Sequence, residues 1–162
     1  MGFIDSVYAL FLRVVNSLQS PLLLVVRLYW GWQFAQNGWG KLHRLPDIVQ
    51  YFTSLGIPAP ALNAYFVSGL EFVGGILLIL GLGSRVIALM LSFDMVVAYL
   101  AADREALKQI FSDPGKFYNA DPYTFLFASL MVLIFGPGLF AVDTLIARYR
   151  AQQVRAASLV TR

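Results

Sequence analysis

Apolar residues along this chain gather into four long runs separated by polar connections. They extend from about Pro21 to Gly40, Leu62 to Leu82, Val86 to Ala102 and Pro122 to Val142. Roughly 20 residues, rising about 1.5 Å each, cross the hydrocarbon core of a bilayer, so each run is long enough for a membrane-spanning helix. Only Gly83-Ser84 separates the second run from the third, which predicts an antiparallel helical hairpin. Upstream of the spans, Asp5, Ser6, Arg13, Asn16, Ser17 and Gln19 fall in one arc of a helix turning about 100° per residue. That arc predicts an amphipathic leader, either lying in the membrane interface or packed against the bundle. Ser20-Pro21 supplies an N-cap and a first-turn proline for the span that follows.

The connections carry their own signals. Ile48, Val49, Phe52 and Leu55 predict a short amphipathic helix that ends at Gly56-Ile57-Pro58. The polar stretch between the third and fourth spans predicts another short helix, up to Phe111. Gly136-Pro137-Gly138 must bend the last span, because proline removes a backbone donor. The predicted fold is therefore all-α: a four-transmembrane-helix bundle with an N-terminal amphipathic interfacial helix. Its expected parts are residues 1–20 (leader), 21–145 (bundle) and 146–162 (basic, fraying tail).

Composition agrees. Hydrophobic residues make up 59% of the chain, and charged residues 13%, against a globular norm of about 25%. Four spans and their connections use the whole length of 162 residues, leaving one domain. With no cysteine there is no disulfide framework, thiol chemistry, iron–sulfur cluster or thiolate metal site, and with His43 the single histidine there is no bis-histidine haem ligation. No metal and no redox cofactor is expected on this chain. The net charge of +3 reflects basic residues flanking the spans and does not point to nucleic acid. Asp5, Arg13 and Asn16 interrupt any signal-peptide core. With both termini on one side, that side carries Arg13, Arg85, Arg148, Arg150, Arg155 and Arg162. The other carries Lys41, Arg44, Arg104, Lys108 and Lys116, so six against five favours cytoplasmic termini.

Candidate chemistry lies in ionisable residues inside the spans. Arg27, Glu71 and Asp94 sit in three different apolar runs, where an unpaired charge is costly and marks a functional candidate. Depths counted from helical rise let the Arg27 guanidinium meet both acids, leaving one carboxyl able to hold or pass a proton. A buried ion-pair cluster that only sets helix register is the alternative. On the first span, Arg27, Trp30, Gly31, Phe34, Asn37, Gly38 and Lys41 share a stripe, with Tyr29, Gln33 and Gln36 beside it. So much polarity belongs inside the bundle. The candidate ligand or proton pocket is therefore Arg27, Glu71, Asp94, Asn37, Gln33, Trp30 and Lys41, with no catalytic residue assigned. Gly69, Gly74 and Gly75 allow close helix approach.

These residues resemble the DoxX family of small bacterial integral membrane proteins. The pattern is Arg27, Phe34, Gly38 and Lys41, then Phe52 and Gly56-Ile57-Pro58, then Glu71, Gly74-Gly75, Leu80-Gly81-Leu82 and Arg85, covering roughly residues 22–102. The resemblance implies a four-helix bundle in the bacterial inner membrane. It links the chain to quinone-reactive oxidoreductase and oxidase subunits and to assemblies in oxidative-stress defence, without assigning a catalytic role to Arg27 or Glu71.

Three functional readings are open. The chain is a membrane subunit of a redox system that binds a quinone and takes electrons from a partner subunit, or a non-enzymatic scaffold docking another protein in the lipid bilayer. The third reading is a transporter or channel formed as a homo-oligomer.

Overall fold

The computed structural model describes residues 2–160 of the chain; Arg162, counted in the orientation argument, lies outside them. Eight helices follow in order: α1 (Phe3–His43), α2 (Leu45–Ser54), α3 (Pro60–Leu80), α4 (Ser84–Ala101), α5 (Arg104–Lys108), α6 (Pro114–Tyr118), α7 (Pro122–Phe135) and α8 (Val142–Val160). Helices α1, α3 and α4 are each long and apolar enough to cross a membrane, and α7 is a shorter apolar helix beside them. The result is an all-α membrane bundle.

The leader and first span are one helix. α1 runs through Pro21 without a break, at 41 residues and about 1.5 Å per residue roughly twice the thickness of a bilayer core. Proline removes one internal hydrogen bond, but ending the helix there would strand up to eight backbone groups. Continuity is the lesser penalty. Ser20 is accordingly no N-cap; its hydroxyl accepts the Leu139 amide at 3.2 Å, across the bundle. Residues 4–19 stand exposed beyond the packed part of the chain.

Small residues let α1 and α3 pack backbone to backbone. A Cβ on Gly75 would lie 2.6 Å from the Gly31 carbonyl oxygen, and one on Gly38 would lie 2.7 Å from that of Ser68. Gly74 makes ordinary contacts with Leu91 and Ile87, and a Cβ on Gly69 would meet nothing, so of the three glycines expected at close contacts only Gly75 is essential to one. These pairings set an antiparallel register: seven residues along α1, Gly31 to Gly38, match seven back along α3, Gly75 to Ser68. α4 packs most closely on α7. Val26, Phe34, Leu78, Leu91, Met95, Ala128 and Val132 fill the space between the two pairs.

The last apolar run is divided. α7 ends at Phe135, and residues 136–141 form a non-helical strap before α8. Gly136 (φ +82°) and Gly138 (φ +79°) hold left-handed backbone on either side of Pro137, which ordinary residues avoid. α8 then carries straight across residues 145 and 146, where the tail was expected to separate, and remains helical to Val160.

Candidate functional site

The α1–α3 register decides where the intramembrane charges go. Arg27 lies one turn before Gly31 and so falls level with Gly81, whereas Glu71 falls level with Gly38. Arg27 and Gly38 are eleven residues apart, or about 16 Å along the helix, which is beyond the reach of an arginine side chain. The expected cluster of Arg27 with Glu71 and Asp94 does not form. The charges separate into two sites at different depths.

Arg27 belongs to the end of the bundle where the termini lie. It is fully buried, and its Nη2 donates to the Phe140 carbonyl oxygen at 2.7 Å. It packs beneath Gly81, where any Cβ would collide with its Nη1. The strap explains the arginine. A chain that leaves helical geometry at membrane depth exposes carbonyls that water cannot reach, and a buried donor has to serve them. Arg85 donates to Ile134 O at 3.4 Å, and the Thr144 hydroxyl to Gly138 O at 2.7 Å.

Asp143, just past the strap, completes this end. Its carboxylate accepts the Gly83 and Ser84 amides, each at 2.8 Å, at the start of α4. Its own amide donates to Gly81 O at 2.9 Å. Partial burial pushes its carboxyl up. The Ser84 and Gly83 hydrogen bonds and the nearby Arg27 charge outweigh that effect and hold it below the ordinary aspartate range.

The second site lies toward the opposite end. Lys41 Nζ donates to Glu71 Oε1 at 2.6 Å, so lysine, not arginine, neutralises this acid. Glu71 is 2% exposed and Asp94 8%. Asp94 lines the same cavity as Glu71 and Lys41. Glu71 Oε2 and Asp94 Oδ2 are buried without a hydrogen-bond partner among the described residues. Both acids line a cavity of about 570 Å³, within the usual range for a small-molecule site.

The cavity has apolar walls and a polar interior edge. Phe34 and Asn37 come from α1, Tyr51 and Phe52 from α2, Met95 from α4 and Phe125 from α7. Asp103 and Asp121 line it where α4 ends and α7 begins. Of the residues expected from sequence, Asn37, Lys41, Glu71 and Asp94 come together here, while Arg27, Gln33 and Trp30 do not line the cavity. Trp30 packs against the hydrophobic core. His43 is exposed, with Nδ1 2.8 Å from the Trp39 carbonyl oxygen.

Sequence reasoning missed the aromatic wall from α2 and the two outer aspartates. The Gly56-Ile57-Pro58 stop was a usable signal for the first, since it folds α2 back toward the bundle. Nothing local marked Asp103 and Asp121.

The DoxX family model matches residues 22–104, more than half of the chain. The chain belongs to the DoxX family. One relative of this DoxX protein, named "Putative oxidoreductase CatD" in Bacillus subtilis, is 26% identical over 120 residues, covering 74% of this chain and 83% of the relative. Another, "Uncharacterized membrane protein Rv3486" of Mycobacterium tuberculosis, is 29% identical over 144 residues, covering 81% of this chain and 85% of the relative. No solved structure matches this DoxX chain significantly. The matched region contains Lys41, Glu71 and Asp94 together with Arg27, whereas the strap, Asp143 and the α7 wall of the cavity lie beyond it.

Proposed function

We propose that this protein is the membrane subunit of a redox system and that its Lys41–Glu71–Asp94 cavity binds the head group of a quinone-type carrier. The observation that carries the reading is a pair of buried carboxyls with unengaged oxygens beside an aromatic-walled cavity of about 570 Å³. Such a cavity suits a flat ring, and a carboxyl there can give the proton taken up when the ring is reduced or take the one released when it is oxidised. A relative bearing the word oxidoreductase in its name is consistent with this. Electrons would pass to or from a partner subunit, because the sequence carries no cysteine ligand and only one histidine. The setting is the bacterial inner membrane, with both termini cytoplasmic and the chain assembled as an oligomer.

Titration of the purified protein in detergent with ubiquinone and menaquinone analogues, each in oxidised and reduced form, tests the reading. Saturable binding weakened by Glu71→Gln is expected. Absence of saturable binding in every form, or binding indifferent to that substitution, would overturn it.

A second reading, a scaffold that docks another protein, draws on the projecting half of α1. Ile4, Tyr8, Phe11 and Leu18 are each more than half exposed there. In that case, deleting residues 2–19 would abolish complex formation and Glu71→Gln would not.

A further inference from the structure

We infer that α1 is a dimerisation helix, its exposed face pairing in parallel with α1 of a second copy of this chain. This gives the oligomer of the redox reading its interface and makes no use of the cavity.

Residue spacing carries the inference. Ile4, Tyr8, Phe11, Val15 and Leu18 alternate at intervals of four and three, the repeat of a coiled-coil seam. Each of them is exposed. The same spacing continues into the membrane half through Leu22, Val25 and Tyr29 to Trp32, again all exposed. From Ile4 to Trp32 the stripe covers four heptads and runs about 42 Å along the helix. Arg13, Arg27 and Phe34 lie on the opposite edge of that repeat, and Arg27 and Phe34 are fully buried in the chain's own bundle. The seam therefore faces away from the bundle, and two bundles can flank it without collision.

Lipid does not account for the outer half. The α1–α3 register sets Arg27 level with Gly81, where α3 ends. Leu18 then lies about 13 Å further out along α1, and Ile4 about 35 Å. Because α1 stays helical through Pro21, this half leaves the bilayer along its span instead of turning flat into the interface. Residues 4–19 are exposed throughout, and a solitary helix of that length is marginal in water.

A second copy meets both needs. Of the large apolar residues exposed on the outer half, all but Leu10 fall at seam positions or the positions flanking them. The seam itself carries no charge. Two copies inserted the same way in one membrane bring like residues together at a two-fold axis, as a parallel seam requires.

The chain has no cysteine, so single introduced cysteines report that axis directly. In membranes treated with a thiol oxidant, Phe11→Cys and Leu18→Cys should each convert most of the protein to a disulfide-linked dimer. Arg13→Cys, on the outer edge, should give only a trace. Native mass spectrometry of the unmodified protein in a mild detergent should give twice the 18.0 kDa of one chain. Phe11→Asp should shift it to the single-chain mass and Arg13→Asp should not. Cross-linking absent at both seam positions, or as strong at Arg13, overturns the inference, as does a monomeric unmodified protein. The mass of the unmodified protein needs no variant, so a substitution that fails to fold does not obscure the result. A monomer would hand the outer half of α1 to a different partner and leave the quinone titration unaffected.

Discussion

Two buried charge sites share this bundle, and their hydrogen-bond inventories differ in kind. At the terminal end, Arg27 Nη2, Asp143, Arg85 and Thr144 bond backbone that the strap and the α3–α4 turn leave unpaired, while Arg27 Nε and Nη1 are buried without a hydrogen-bond partner among the described residues. At the other end, Lys41 and Glu71 pair with each other, while Glu71 and Asp94 line a cavity and their Oε2 and Oδ2 have no hydrogen-bond partner among the described residues. The first arrangement is aimed at the chain's own backbone. The second is open to something from outside. Buried charge in a membrane protein thus has two physical origins, repair of broken secondary structure and preparation for a ligand, and the partner atoms tell them apart.

Removing the arginine should give the largest effect. Arg27→Ala leaves the Phe140 carbonyl without its donor and opens a void beneath Gly81. A loss of about 3–5 kcal/mol is expected, as for other buried charged groups whose partner is removed. Thermal unfolding in detergent should show it directly. A change below about 1 kcal/mol would erase the distinction between the two sites.

Next comes the packing that holds the sites apart. Gly38→Leu forces α1 away from Ser68 and Phe72, with an expected loss of about 1–3 kcal/mol from overpacking. Because the same contact sets the level of Lys41 against Glu71, this variant should also weaken binding of the quinone analogues, measured by the same titration in detergent.

Glu71→Gln should be milder for the fold than for binding. Lys41 retains access to solvent, so losing its partner should cost about 1–2 kcal/mol and not the larger penalty of a stranded buried charge. The ligand titration should change more than the melting temperature. A variant that melts like Arg27→Ala would show the cavity acids to be structural after all.

The smallest effect is a pH dependence at Asp143. Its carboxyl titrates lower in the folded protein than in the unfolded chain, so its stabilisation is fully present above the unfolded value of about 3.9. It is lost as pH falls through the folded value. Melting curves taken downward from pH 5 should decline, and Asp143→Asn should flatten that decline while lowering stability at neutral pH.

Much of the architecture was legible in the apolar runs. A span must satisfy its backbone internally and be apolar on the outside, so composition and length alone mark α1, α3 and α4. The stripe from Arg27 to Lys41 turns inward only in part: Arg27, Gly31, Phe34 and Gly38 are buried, but Asn37, with Tyr29 and Gln36 beside it, is exposed. Candidate site residues were legible as types. Their partners were not, because counting depth from each span's own end assumes spans of equal length entering at one level. α1 violates that assumption by running unbroken through Pro21, and α7 violates it by stopping at Phe135. A bend at Gly136-Pro137-Gly138 was foreseen, but the helix ends there; the further step, that a break inside a membrane demands a buried donor, leads to Arg27.

Residue order by itself settled that this is a helical membrane protein of the DoxX family with ionisable groups inside its spans, since solvation in lipid depends on local composition. Tertiary structure alone assigned those groups to partners. Pairing follows the vertical register of α1 on α3, and that register comes from glycine contacts between two helices far apart in sequence, at Gly31 with Gly75 and Gly38 with Ser68. A shift of one helical turn would move every charge by about 5 Å, enough to exchange a closed lock for an open site.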